Sequence, residues 1–132
     1  METLSLKTTK KEEFIDITAK VKSLVESAGI KNGLVSIYVP HTTCGLTINE
    51  NADPEVTNDI LLVLRNIAPE SLPYGHLEGN APAHVKASLI GSSVNLIIES
   101  GRLVLGTWQG IFLGEFDGPR SRKVYVQIIK TD

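Results

Sequence analysis

A single cysteine in 132 residues excludes an internal disulfide and suits a reducing compartment. No apolar run approaches the roughly 18–20 residues a membrane-spanning helix needs, and the opening METLSLKTTKKEEF lacks the apolar stretch of a secretory signal. Neither sign of charge is in excess: 13 Lys and Arg stand against 15 Asp and Glu, a net charge of −2. That balance argues against a general nucleic-acid binder, which carries basic excess. The patterns G-x-x-x-x-G-K-[ST], G-x-G-x-x-G and G-x-S-x-G are missing, so P-loop, Rossmann and α/β-hydrolase readings have no support. Tryptophan occurs once and histidine three times. The rest is 42% hydrophobic and 21% charged, near globular averages, in a length that fits one domain over 1–132. The expectation is a soluble, cytoplasmic single domain with no membrane and no nucleic-acid partner.

The alternation of Leu4 and Leu6 predicts a strand over Glu2–Thr8, and a second short strand is expected around Phe14–Ile15. Asp16 is placed to cap a helix with Ile17, Val21, Leu24, Val25 and Ala28 on one face, stopped by Gly29. A β-prone run, Leu34–Val39, closes at Pro40, and an apolar alternation follows through Leu46 and Ile48. Asp53-Pro54-Glu55 combines an N-cap, a first-turn proline and an acid facing the positive end of the dipole, opening a helix that runs to Ile67. A Pro- and Gly-containing loop fills residues 68–80, and Asn80 opens a short helix ended by Gly91. Strands follow at Val94–Glu99, Arg102–Leu105, Trp108–Leu113 and Lys123–Ile129, with Ser100-Gly101 a tight turn between the first two. Three helices among some eight strands, without sustained βαβ alternation, predict an α+β fold with a mainly antiparallel sheet or sandwich.

His41 follows a buried-type strand, His76 sits in a glycine-bracketed loop, and His84 falls early in the short helix. Imidazole supplies a metal ligand or a base titrating near pH 7, so convergence of the three would suit a catalytic zinc; scattered surface or core histidines are the alternative. Cys44 stands three residues after His41, which on a regular strand puts them on opposite faces; packing is the simpler role for it. In Asn49-Glu50-Asn51-Ala52-Asp53, capping accounts for Asp53 and leaves Glu50 free to orient a histidine or ligate an ion. Gly106-Thr107-Trp108-Gln109-Gly110 brackets a stacking-competent indole with glycines, although a core or interface tryptophan explains it as well. Glu115-Phe116-Asp117-Gly118-Pro119-Arg120-Ser121-Arg122-Lys123 sets two acids before a turn and three bases after it, a pattern for phosphate binding or for a solvated hairpin loop.

Three segments together resemble the YjbQ family, catalogued as secondary thiamine-phosphate synthase-like proteins: Pro40 to Asn51 (PHTTCGLTINEN), Gly79 to His84 (GNAPAH) and Leu105 to Gly110 (LGTWQG). The resemblance runs from about Leu4 to Ile129. It implies a distorted, jelly-roll-like β-sandwich with a few flanking helices, a homotrimer, and a polar cleft near a subunit boundary. It implies catalytic roles for His41, His84, Glu50 and Glu115, and substrate contacts from Asp53, Asn80, Trp108, Gln109, Arg120 and Arg122. His41, His76 and His84 become expected ligands of a divalent metal ion, zinc or magnesium. The implied activity is metal-dependent: a pyrimidine-methyl diphosphate is joined to a thiazole phosphate with release of diphosphate. The alternatives are a non-catalytic module binding a metal or phosphorylated small molecule, and a metallohydrolase of phosphoesters.

Overall fold

The computed structural model describes residues 1–131 and contains eight strands and three helices among them. In chain order these are β1 (Glu2–Lys7), β2 (Glu13–Asp16), α1 (Thr18–Ala28), β3 (Gly33–Tyr38), β4 (Cys44–Glu50), α2 (Pro54–Ile67), α3 (Ala81–Ile90), β5 (Ser93–Glu99), β6 (Arg102–Leu103), β7 (Gln109–Glu115) and β8 (Ser121–Lys130). They form two sheets, β1-β8-β3-β5-β6 and β2-β7-β4, and every pairing is antiparallel. The α+β, mainly antiparallel expectation therefore stands.

Alternation along the strands builds the core. Leu6, Val35, Ile37, Leu96, Ile98, Val124 and Val126 point inward from the five-stranded sheet and meet Leu46, Ile111 and Leu113 of the other. The α1 stripe of Val21 and Val25, with Ile17 just before it, completes this cluster. A smaller cluster joins Leu61 and Leu64 of α2 to Ala83 and Ala87 of α3 around Phe116, with Phe14 set edge-on to that ring.

Local chemistry sets the boundaries. Asp53 caps α2, its side chain accepting the Glu55 amide at 2.9 Å. Asp16 acts one position earlier than expected: Ile17 is the N-cap of α1, and the Asp16 carboxylate takes the Thr18 amide at 2.9 Å. Gly29 ends α1 at φ +66°, the left-handed conformation glycine adopts freely. Asn80 stands at the start of α3 but makes no side-chain cap bond. Two strands outrun their apolar patterns: β7 continues to Glu115 and β8 begins at Ser121, because Glu115 pairs with Cys44 and Ser121 with Lys7. The strand expected over Arg102–Leu105 stops at Leu103.

The end of α3 is stitched into the junction between β3 and β4. Leu46 donates its amide to Gly91 O at 3.0 Å and Val39 to Ser92 O at 2.9 Å. Gly45 permits this approach, since a Cβ there would lie 2.7 Å from Gly91 O. This stitch places α3, and His84 on it, beside the chain that leaves β3 at Pro40.

Candidate functional site

His41, Thr42 and Thr43 lie outside any strand, and β4 begins only at Cys44. The bend resolves the facing problem of a regular strand: His41 and Cys44 line one cavity of about 470 Å³, together with His84, Ser88 and Ser92. His84 also borders a second hollow with His76 and Tyr74, and the two imidazole rings stand edge to face with centroids 5.0 Å apart. His76 Nε2 lies 3.8 Å from the Glu78 carboxylate. His84 is thus shared between the two other histidines.

His41 itself is constrained. Its Nε2 accepts the backbone amide of Lys123 at 2.9 Å, so in the neutral ring the proton sits on Nδ1. Partial burial and the positive charges of Arg122, Lys123 and Arg120 lower its pKa against an opposing pull from Glu115. His41 is a neutral imidazole offering a donor at Nδ1, with its basic nitrogen already engaged. Next to it the Cys44 thiol is 1% exposed, and burial pushes its pKa up to about 11, so it is no ready nucleophile.

Behind the cavity lies a buried ion pair. Glu115 is fully buried and accepts from Arg122 Nε at 2.8 Å, from Arg122 Nη2, from the Thr8 hydroxyl at 2.8 Å and from the Asp117 amide at 3.1 Å. Arg122 Nη2 also donates to Thr43 Oγ1 at 2.7 Å. Burial alone raises the Glu115 pKa, but these donors, Arg122 foremost, hold it below the usual carboxylate value. The pair fixes the start of β8, and through the next residue, Lys123, it fixes the amide that orients His41.

The remaining expected residues distribute unevenly. Arg120 folds back on Asp117, its Nη2 at 2.6 Å from the carboxylate and its Nε at 2.7 Å from the carbonyl. Asn80 Nδ2 donates to the same carboxylate at 2.9 Å, leaving Asn80 Oδ1 buried without a partner. Glu50 and Gln109 pair with each other at the opposite end of β4 and β7 from Cys44 and Glu115. Six residue steps along an extended strand separate them by about 20 Å. Asp53 and Trp108 lie at that far end too, Asp53 used as a cap and Trp108 62% exposed. Gln109 Oε1 accepts the Gly106 amide at 2.8 Å, a local turn contact. Within one chain, Glu50, Asp53, Trp108 and Gln109 do not meet His41 and His84.

Among the described residues the three histidines do not gather at one point. Among the described residues no group of three or more His, Cys, Asp or Glu side chains could hold a metal ion. The physical reason is visible at His41, whose Nε2 is bound to a backbone amide and whose ring belongs to a different cavity wall from His76. One buried charge has no counterpart among the expected residues. Lys86 of α3 is 3% exposed and pairs with Glu12 at 2.6 Å, and Arg65 of α2 holds the other Glu12 oxygen at 2.9 Å. No local pattern marks Lys86, since its partner is 74 residues away.

The family model described as UPF0047 protein YjbQ-like matches residues 2–131. The UPF0047 protein MJ1081 of Methanocaldococcus jannaschii is 53% identical, over 94% of this chain and 90% of its own. The UPF0047 protein YugU of Bacillus subtilis is 50% identical over 98% of each chain. A crystal structure of a YjbQ/UPF0047 family protein from Clostridium acetobutylicum is 56% identical, covers 98% of this chain and 100% of its own, and superposes with a TM-score of 0.96. A YbjQ-like protein of unknown function from Sulfolobus solfataricus is 36% identical over 98% of this chain and 95% of its own, with a TM-score of 0.94.

Proposed function

The chain belongs to the UPF0047 (YjbQ-like) family, and from that premise we propose that the His41–His84 cavity is the centre of a secondary thiamine-phosphate synthase. The observation that carries the reading is the meeting of His41 and His84 on one cavity, the first ring held in orientation by the Lys123 backbone amide. In the reaction, the ring nitrogen of a thiazole phosphate attacks the methylene of a pyrimidine-methyl diphosphate. A carbon–nitrogen bond forms, the carbon–oxygen bond breaks, and diphosphate leaves with the electron pair. Negative charge grows on the departing oxygen. A neutral donor at His41 Nδ1 is suited to meet it.

A divalent ion, zinc or magnesium, remains part of the proposal only as a guest. The His76–His84 pair offers two nitrogens where a protein-held catalytic zinc takes three protein ligands. Diphosphate carries oxygens that bring their own magnesium. A homotrimer is proposed as the working assembly, bringing the Trp108 end of one chain within reach of a neighbour.

The test is turnover. The full chain, supplied with both substrates and Mg²⁺, is expected to release diphosphate and form thiamine phosphate, and His41→Ala is expected to slow this by about 10²-fold or more. The lowered His41 pKa predicts a rate that is steady at neutral pH and changes only below pH 6.5, where the ring takes up a proton at the cost of its amide bond. A protein that binds phosphate but releases no diphosphate is a binding module. Metal-dependent cleavage of a phosphoester, lost in His84→Ala and without thiamine phosphate, identifies a hydrolase.

A further inference from the structure

Lys7 and Lys123 are two cations that the fold brings together and leaves unneutralised. In the β1–β8 ladder Lys7 is opposite Ser121 and Ser5 is opposite Lys123, all four on the outer face of the five-stranded sheet. The two lysines are diagonal neighbours, about 7–8 Å apart at the backbone. Among the described residues neither makes an ion pair, although six pairs form elsewhere in the chain. Like charges so placed repel, and an anion between them relieves the repulsion.

The place for that anion exists. A cavity of about 760 Å³ is lined by Ser5, Lys7, His41, Ser121, Lys123 and Tyr125, and no acidic residue borders it. It shares one lining residue with the His84 cavity, and that residue is His41. The Tyr125 ring stacks against Tyr38, centroids 6.4 Å apart and planes within 27°, and presents an aromatic surface on the cavity wall. Two ammoniums and two hydroxyls match phosphate oxygens; a tyrosine face matches a flat ring.

We infer that this cavity is a second ligand site, which takes the phosphate of a phosphorylated ring compound between Lys7 and Lys123 and lays the ring against Tyr125. The inference deepens the reading above, since coupling two phosphorylated substrates needs two sites, but its test does not depend on turnover. Calorimetry on the full chain uses inorganic phosphate and phenyl phosphate as probes, and each variant is first checked for an unchanged thermal transition. Wild type binds both, phenyl phosphate more tightly. Lys7→Gln and Lys123→Gln each weaken both probes roughly tenfold, the loss of one charge-assisted bond. Tyr125→Ala weakens phenyl phosphate alone, and His84→Ala changes neither. Absence of binding by wild type, or wild-type binding by the double lysine variant, overturns the site. Loss of binding in His84→Ala overturns it as well, by placing the anion in the other cavity. If the probes bind as described while no diphosphate is ever released, the synthase reading fails and this site stands.

Discussion

Glu115 and Arg122 show how a single residue acts at a distance from the chemistry. Neither side chain reaches open solvent, yet together they decide where the Lys123 amide points and hence which nitrogen of His41 carries the proton. Removing one partner leaves the other charge buried and alone. Arg122→Leu is therefore expected to lower the unfolding free energy by about 3–5 kcal/mol, and Glu115→Leu in the same chain to recover most of it, as measured in urea. A double variant no more stable than the single one would remove the ion pair from the explanation. The same pair sets the response to acid. A carboxylate whose pKa is lower folded than unfolded stabilises fully above its unfolded value of 4.5 and loses that contribution as the pH falls through the folded value. Much of this was open to reading: Arg122 stands two and four residues before the inward Val124 and Val126, and period two turns it inward with them. The expectation of a phosphate-binding arginine weighed the charge and passed over the alternation.

At the scale of elements, the sequence was most legible where signals were local. Asp53-Pro54 opens α2 where capping chemistry places it, and Gly29 and Gly91 close α1 and α3. The assembly of the site was less legible, because it depends on the stitch from Gly91 and Ser92 to Leu46 and Val39, contacts between segments far apart in sequence. The candidate residues split for a related reason: β4 is one continuous strand, so Cys44 and Glu50 occupy opposite ends although both belong to a single conspicuous motif. A motif read as one string becomes two places in space. Asp53 tests the division. Its carboxylate satisfies the Glu55 amide, so Asp53→Ala should cost about 1 kcal/mol of stability. Binding of phosphate-containing probes by the isolated chain should be unaltered, since the His41 cavities lie at the other end of the sheet. A loss of probe binding without a loss of stability would return Asp53 to the ligand.

At the scale of the whole molecule, the five-stranded sheet presents an outer face that is polar at one end and apolar at the other. Lys7, Ser5 and Lys123 mark the first end, and the cross-strand row Ile97–Leu34–Ile129 marks the second, with exposures of 57%, 44% and 49%. Three large aliphatic side chains in one hydrogen-bonded row form a contiguous patch, unlike the scattered apolar residues that any surface carries. Covering that row with a second copy withdraws it from water while leaving the lysine cavity at the rim, where ligand still enters. The homotrimer proposed above would take this row as its contact, and sedimentation of the wild-type chain at micromolar concentration should then return a mass of three chains. Ile97→Lys then separates assembly from folding. In the free chain the residue is already exposed, so stability should change by no more than about 0.5 kcal/mol. At an interface, the same substitution forfeits about 2–3 kcal/mol of apolar burial at each contact and sets a charge against hydrocarbon, so the variant should sediment as a folded monomer. A trimer undisturbed by Ile97→Lys would place the subunit contact elsewhere, on the α2 face of Leu62, Val63 and Ile67, which is also more than half exposed.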